Sequence, residues 1–243
     1  MTSPFLSIII PAYNEEKRLL DTLKQVFTFL ESEDYPSEVI VVENGSSDET
    51  YALAQKLTKE YANLRVLQNK KAGKGLAVQR GMLEAKGQYR VFCDADLSMP
   101  IEEVRHFIPP NLNSDIVIAS REVKGAIRYD EPGYRHFTGR IYNLLIRLLA
   151  LPKLHDTQCG FKGFRAEIAE DIFQYQSIDG WAFDIEILFI ANLRAYKIVE
   201  LPIPWYYKNE SKINVLRDSF RMFLDLIQIR KNARQGLYDQ KKV

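Results

Sequence analysis

Between residues 6 and 119 the chain alternates short, β-branched apolar runs with stretches of helical periodicity, and no other feature limits its fold so tightly. The run at 6–10 is short, β-branched and ends at Pro11, which marks it as a buried strand, and those at 39–42, 64–67, 89–93 and 116–119 read as four more. Between the first two, residues 15–30 set Leu19, Leu20, Leu23, Val26, Phe27 and Leu30 at helical spacing. Ser46-Ser47-Asp48-Glu49 resembles a capping box opening a second helix with Leu53 and Leu57 inward, and residues 75–86 pattern as a third. Pro11 is expected to halt the pairing of the first strand. Strand and helix in alternation imply right-handed βαβ units and a single α/β domain with a mostly parallel central sheet. In such sheets ligands sit at the carboxyl ends of the strands, where the polar clusters of this chain fall.

The second half is less regular. Residues 121–137 read as a long polar loop with Gly125, Pro132 and Gly133, a length that in a compact domain often marks a functional lid. Helices are expected around 141–149 and 184–194, flanking a short segment at 159–165. From residue 216, Leu216, Phe220, Phe223, Leu224 and Ile227 share one helical face edged by Arg217, Arg221 and Arg230. The chain is therefore divided into a domain at 1–212 and a basic amphipathic helix and tail at 213–243. The net charge of +1 excludes a strongly basic nucleic-acid binder. Residues 205–243 hold nine Lys/Arg against four Asp/Glu, which leaves the body mildly acidic. Cys93 and Cys159 make neither a metal cluster nor a disulfide framework, so a reducing compartment is expected. The first residues lack the pattern of a signal peptide, and no apolar run approaches the ~20 residues that span a bilayer. The expected location is cytoplasmic, peripheral on the cytosolic face of a membrane.

Asp94 and Asp96 follow an apolar strand one residue apart. In extended chain both carboxylates point to one side, where their like charges repel and a hard cation relieves the conflict. Mg²⁺ typically takes one or two carboxylates and completes its shell with water and substrate phosphate. Pro11-Ala12-Tyr13-Asn14-Glu15 after the first strand has two readings, a capped turn or a surface that stacks on and reads a base. Glu43-Asn44-Gly45-Ser46 after the second strand has the same two, with Glu43 as acceptor for a base N–H or a ribose hydroxyl. Lys74 lies in a basic loop, 70–75, before a helix, an arrangement suited to phosphate. Arg121, Lys124, Arg128 and Arg135 lie on the long loop, and Arg suits bidentate phosphate binding. Asp184 and Glu186 read either as base or hydroxyl-positioning groups or as acids at a helix start. The three histidines show no metal-ligand spacing.

Together these segments resemble the family 2 glycosyltransferases, and more closely their polyprenyl-phosphate branch, the dolichyl-phosphate glucosyl- and mannosyltransferases. The matching segments are Ser7 to Glu15, Glu43 to Thr50, Gly73 to Ala77, Asp94-Ala95-Asp96-Leu97-Ser98, Asp156 to Lys162, Trp181 to Glu186 and Pro202 to Trp205. The resemblance implies a GT-A fold, a Rossmann-like single domain, and inversion at the anomeric carbon. It implies that Pro11, Tyr13 and Glu15, with Glu43, line the nucleotide pocket, and that Asp94 and Asp96 hold ribose and a metal diphosphate, with Mg²⁺ or Mn²⁺ as cofactor. Where the family usually carries two Asp before the Gly-Ser pair, this chain has Glu43-Asn44.

The expected reaction moves a hexose from a nucleotide sugar, UDP-glucose ahead of GDP-mannose, to a polyprenyl phosphate. That acceptor is already anionic and needs cations to hold it, here Arg121, Arg135 and Lys212, more than it needs a base. Access to it implies a membrane surface or a membrane-protein partner. Were the acceptor a sugar hydroxyl of a glycan or polysaccharide, a base would be required, with Asp184 as candidate. A catalytically silent nucleotide-sugar binder is the other alternative, against which the intact Asp94 and Asp96 speak. A nucleotidyltransferase would bring a Gly-rich basic loop after the first strand, and residues 11–15 are not one.

Overall fold

A computed structural model describes residues 3–208 and 215–239 and, among these, the side chains of all but 134–138 and 215–220. Nine strands and seven α-helices are described. In chain order these are β1 (Leu6–Ala12), α1 (Leu19–Glu31), β2 (Ser37–Asn44), α2 (Thr50–Leu57), β3 (Leu64–Asn69), α3 (Lys74–Glu84) and β4 (Tyr89–Cys93). A 3-10 helix at Ile101–His106 leads to β5 (Ile116–Ser120), β6 (Ile127–Tyr129), α4 (Gly133–Leu149), β7 (Phe161–Arg165) and α5 (Ala166–Phe173). The chain continues through α6 (Phe183–Leu193), β8 (Ile198–Pro202), β9 (Pro204–Tyr206) and α7 (Val215–Arg234).

Seven strands form one sheet in the order β3-β2-β1-β4-β7-β5-β8, parallel except for β7, which runs antiparallel to β4 and β5. This is the mostly parallel single domain that the alternation predicts. The runs are apolar throughout because both faces of the sheet are covered. Along β1, Ile9 faces one core while Leu6, Ile8 and Ile10 face the other. Along β2, Ile40 and Val42 join the first and Val39 and Val41 the second. Helices α3 to α7 cover the first face, and α1, α2 and the 3-10 helix the second. The order reverses at β1, with β2 on one side and β4 on the other, so a crevice opens beyond the carboxyl ends of β1 and β4.

Several expectations are corrected. Pro11 does not halt pairing: β1 stays in register with β2 through Pro11 and Ala12, while its ladder to β4 runs from Leu6 to Ile9. Helix α1 starts at Leu19 because the N–H groups of Glu15 and Glu16 are drawn across to Thr50 Oγ1 (2.7 Å) and Asp48 Oδ2 (3.2 Å). The capping box does not form. Ser46 Oγ instead accepts from Asn14 N (3.0 Å), and Asp48 serves Thr50 N. The 121–137 segment is no plain loop, since it contains β6, paired with β9, and the start of α4. The 159–165 segment contributes β7, a central strand.

Helix α7 packs on the body by a stripe other than the Phe223, Leu224 and Ile227 face. Met222, Leu226 and Ile229 enter the core, whereas Phe223, Leu224 and Ile227 are exposed. Leu216, Arg217 and Phe220 lie outside the described side chains. Helix α4 likewise buries Tyr142 and Ile146 and exposes Ile141, Leu144 and Leu148. The two helices pack together, and Arg230 Nη1 donates to Leu149 O at 2.7 Å.

Helix α3 lies close on the sheet at Gly81, where a Cβ would stand 2.4 Å from Ile9 Cγ2 and 3.0 Å from Val42 Cγ2. Gly81→Val is expected to cost about 2 kcal/mol by overpacking. The denaturation midpoint should fall with its slope unchanged; a midpoint equal to wild type would show that α3 moves freely on the sheet.

Candidate active site

The crevice is built from turns that follow the strands. Strand β4 ends at Cys93, and Asp94 to Leu97 form a turn rather than extended chain, with Leu97 N bonded to Asp94 O (3.1 Å) and Leu97 at φ 45°. Asp96 Oδ1 accepts from Ser98 N (2.9 Å). The two acids are thus brought together by a turn and not by strand alternation. Burial, then the Asp94 charge, raises the Asp96 pKa above the usual carboxylate range. Lys74, the first residue of α3, donates from Nζ to Asp94 Oδ1 at 2.6 Å and lies over the Trp181 ring, 5.2 Å from its centroid. Burial works against its charge, but Asp94, Asp184 and Asp96 together raise its pKa.

The turns after β1 and β2 are stitched to each other. Asn14, at φ 52°, accepts through Oδ1 from Ser47 N (2.9 Å), and Glu16 Oε2 accepts from Glu49 N (3.0 Å). Glu15 pairs with Arg18 at 2.6 Å. Between the stitches Ala12 is buried, Pro11 half-buried and Tyr13 exposed. Glu43 is buried and accepts from Ser46 N around Gly45, whose φ of 72° suits glycine. Asn44 Oδ1 accepts from Gly73 N (3.1 Å), tying the β2 turn to the Lys74 loop. The bond Glu43 accepts belongs to the turn.

The second half supplies another wall. Arg121 follows β5 and grips buried Asp156 with N (2.9 Å), Nε (2.7 Å) and Nη2 (2.9 Å). Burial alone would raise the Asp156 pKa, but the Arg121 guanidinium brings it down to about 2. Arg121 also stands over Trp205, 5.4 Å from the ring centroid, with Arg128 over the same ring at 5.9 Å. Arg128 is engaged by Glu131 (2.7 Å) and Glu122, so it is not available to a ligand phosphate in this arrangement. The Arg135 side chain and Lys212 lie outside the described residues.

Asp184 is buried, and its Oδ1 meets Lys162 Nζ at 2.5 Å. Burial raises its pKa, and Lys162 and Lys74 offset that in part. Glu186 is structural: it accepts from Ser177 N (2.9 Å), Ser177 Oγ (2.6 Å), Ile178 N (2.8 Å) and Tyr238 Oη (2.7 Å). Lys162, Trp181 and Asp156, which the sequence gives only as parts of matching segments with no role, stand beside Asp184, Lys74 and Arg121. The available signal for Lys162 was a lysine between Phe161 and Phe164 in a segment otherwise apolar. Cys159 is buried, which pushes its thiol up to about 12 and leaves it without nucleophilic character at neutral pH.

The arrangement offers a hard-oxygen donor pair beside a cation, which fits Mg²⁺ or Mn²⁺ sharing ligands with a diphosphate. Among the described residues no group of three or more His, Cys, Asp or Glu could hold a metal, so the remaining ligands would come from substrate and water.

The chain is similar to known proteins over most of its length. The model of Glycosyl transferase family 2 matches residues 7–173. A dolichyl-phosphate beta-glucosyltransferase of Trichomonas vaginalis is 32% identical over 98% of this chain and 74% of its own length. The enzyme of that name from Saccharomyces cerevisiae is 31% identical over 98% and 78%, and that from Homo sapiens 30% over 96% and 77%. Among solved structures, glucosyl-3-phosphoglycerate synthase from Mycobacterium tuberculosis, in complex with Mn²⁺ and UDP-Glc, superposes with a TM-score of 0.65 at 19% identity. That match covers 93% of this chain and 79% of the other. At that identity the likeness speaks for the fold, which is GT-A. The chain belongs to the family 2 glycosyltransferases.

Proposed function

We propose that this glycosyltransferase transfers glucose from UDP-glucose to a polyprenyl phosphate such as dolichyl phosphate, with a divalent ion at Asp94 and Asp96. The observation that carries the reading is the pairing of two acids with Lys74 at the topological switch point, in a chain alike along nearly its whole length to dolichyl-phosphate beta-glucosyltransferases. The stitched turns after β1 and β2 form the cleft for the nucleotide, with Tyr13 exposed at its edge and Pro11, Ala12, Glu15, Glu43 and Gly45 around it. Lys74 is within reach of a phosphate placed against Asp94. A bound divalent ion would stabilise the departing diphosphate as a Lewis acid.

The acceptor side uses cations rather than a base. Arg121 spends Nε and Nη2 on Asp156, and Nη1 is left for an anionic oxygen. Arg135, on the first turn of α4, and Lys212 are the further candidates. Asp184, buried against Lys162, is poorly placed to take a proton from a sugar hydroxyl, which favours an acceptor that arrives ionised. A groove of about 390 Å³ is lined by Ile141 and Leu144 of α4 with Glu122, Arg140, Asn143, Arg147 and His155. Its apolar pair and two arginines suit a lipid phosphate.

The outward rows on α4 (Ile141, Leu144, Leu148) and α7 (Phe223, Leu224, Ile227) support peripheral binding to a cytosolic membrane face. Arg230, Lys231 and Arg234 are exposed beside them and suit anionic headgroups, each worth about 1 kcal/mol near such a surface. No helix among the described residues is long and apolar enough to cross a membrane.

Three outcomes follow. Asp96→Asn, which removes charge without volume, should lower transfer by about 10²–10³-fold with the melting temperature kept, and excess EDTA should stop the wild type. Full turnover in EDTA would contradict the metal role. Arg135→Ala should raise the KM for polyprenyl phosphate about tenfold, the worth of one hydrogen bond to a charged group, and leave the calorimetric affinity for UDP-glucose alone. Equal losses would move Arg135 to the donor side. The protein should sediment with anionic liposomes at low salt and be released at high salt or on replacing Arg230, Lys231 and Arg234 with Ala. Wild type left in the supernatant at low salt would contradict the membrane-facing role of α7.

A further inference from the structure

Gly160, just before β7, meets the Asp94 side chain at very close range. A Cβ on Gly160 would fall 1.9 Å from Oδ2 and 2.3 Å from Cγ of Asp94. The two residues are also joined through backbone, Asp94 N donating to Gly160 O at 3.0 Å. Asp94 has little freedom to move aside, because Oδ1 is bonded to Lys74 Nζ at 2.6 Å and Lys74 is itself backed by Trp181. The peptide under the carboxylate is held from the other direction. The Cys159 carbonyl, one residue earlier, accepts from Lys162 Nζ at 2.6 Å, and the same nitrogen meets Asp184 Oδ1 at 2.5 Å. Lys162 is 0% exposed and lies over the Phe92 ring at 5.3 Å. A glycine adds nothing to strand packing here; Phe161 and Phe164 fill that role, and glycine beside a strand marks a close approach.

We propose that Gly160 is a positioning residue for the donor diphosphate. Its missing side chain is the seat of the Asp94 carboxylate, and the buried Lys162–Asp184 pair holds that seat in place. The inference rests on the donor-side reading of Asp94 and Asp96. It assigns Asp184 a part that needs no proton transfer: through Lys162 and the Cys159 carbonyl it sets the height of the backbone on which Asp94 rests. A methyl group at 160 would push the Asp94 carboxylate off its seat and spoil its spacing to Asp96 and Lys74, while the nucleotide cleft at β1 and β2 stays as it is.

The test is a cycle of wild type, Gly160→Ala, Asp94→Ala and the double variant. Each protein is titrated with UDP by calorimetry in Mn²⁺ and in EDTA, and its melting temperature is measured. The wild type should bind UDP more tightly in Mn²⁺ than in EDTA. Gly160→Ala should lose about ten- to a hundredfold of that metal-dependent gain, as is usual when a residue supporting a metal ligand is altered, with the affinity in EDTA unchanged. With Asp94→Ala there is no carboxylate to displace, so a methyl at 160 should change neither the gain nor the melting temperature. An undiminished gain in Gly160→Ala overturns the proposal. So does the same loss with and without metal, or the same loss in the Asp94→Ala background. Should Gly160→Ala fail to fold, recovery in the double variant supports the contact, and failure of the double variant to fold overturns it. A wild type with no metal-dependent gain would contradict the donor-site reading beneath the proposal, a result distinct from any change confined to residue 160.

Discussion

The site depends on a balance of charge at the carboxyl end of β4. The Asp94 charge acts on both Asp96 and Asp184, and Lys74 and Lys162 stand among the three carboxylates. Isolated buried charges cost several kcal/mol each, so such a group survives only where every member has a partner. Lys162 answers Asp184 and Lys74 answers Asp94, while Asp96 has a backbone N–H and a like-charged neighbour. The arrangement leaves net demand for positive charge at Asp96, which is where a diphosphate-bound cation would meet it.

The sheet places these groups and the helices keep them there. β1 and β4 lie side by side with crossovers leading away in opposite directions, so their ends cannot be roofed by the connections themselves. The antiparallel insertion of β7 between β4 and β5 brings Cys159, Gly160 and Lys162 under the acidic turn. The same insertion sets β5 at a distance from β4, so that the Arg121–Asp156 ion pair forms a second wall. On the proposed assignment, with the donor at the acids and the acceptor at Arg121, positioning and electrostatics supply most of the catalysis.

The parallel half of the fold was legible in the sequence because each strand holds a short apolar run and each helix an apolar periodicity, both local signals. β7 was not, because Phe161-Lys162-Gly163-Phe164-Arg165 has neither unbroken apolarity nor clean alternation; the burial of Lys162 depends on Asp184, which is 22 residues away. Asp94 and Asp96 stood out by spacing and by the apolar strand before them, although a turn, not strand alternation, brings them together. Arg121 stood out by residue type, yet its fixed partner Asp156 is 35 residues distant and leaves no local trace. On α7 the stripe of Met222, Leu226 and Ile229 is as apolar as that of Phe223, Leu224 and Ile227, so the sequence leaves open which one packs on the body. The choice between them was made by packing against α4 and α6, which periodicity does not encode.

The central claim is a donor and an acceptor, and one assay addresses both. Purified protein with Mn²⁺ and polyprenyl phosphate in detergent is offered radiolabelled UDP-glucose, GDP-mannose and UDP-N-acetylglucosamine in separate reactions, and label in the organic phase is counted. UDP-glucose should yield a labelled, mild-acid-labile lipid, with much less from the other two. Efficient labelling from GDP-mannose in place of UDP-glucose, or label passing only to a sugar hydroxyl acceptor and never to the lipid phosphate, would contradict the claim.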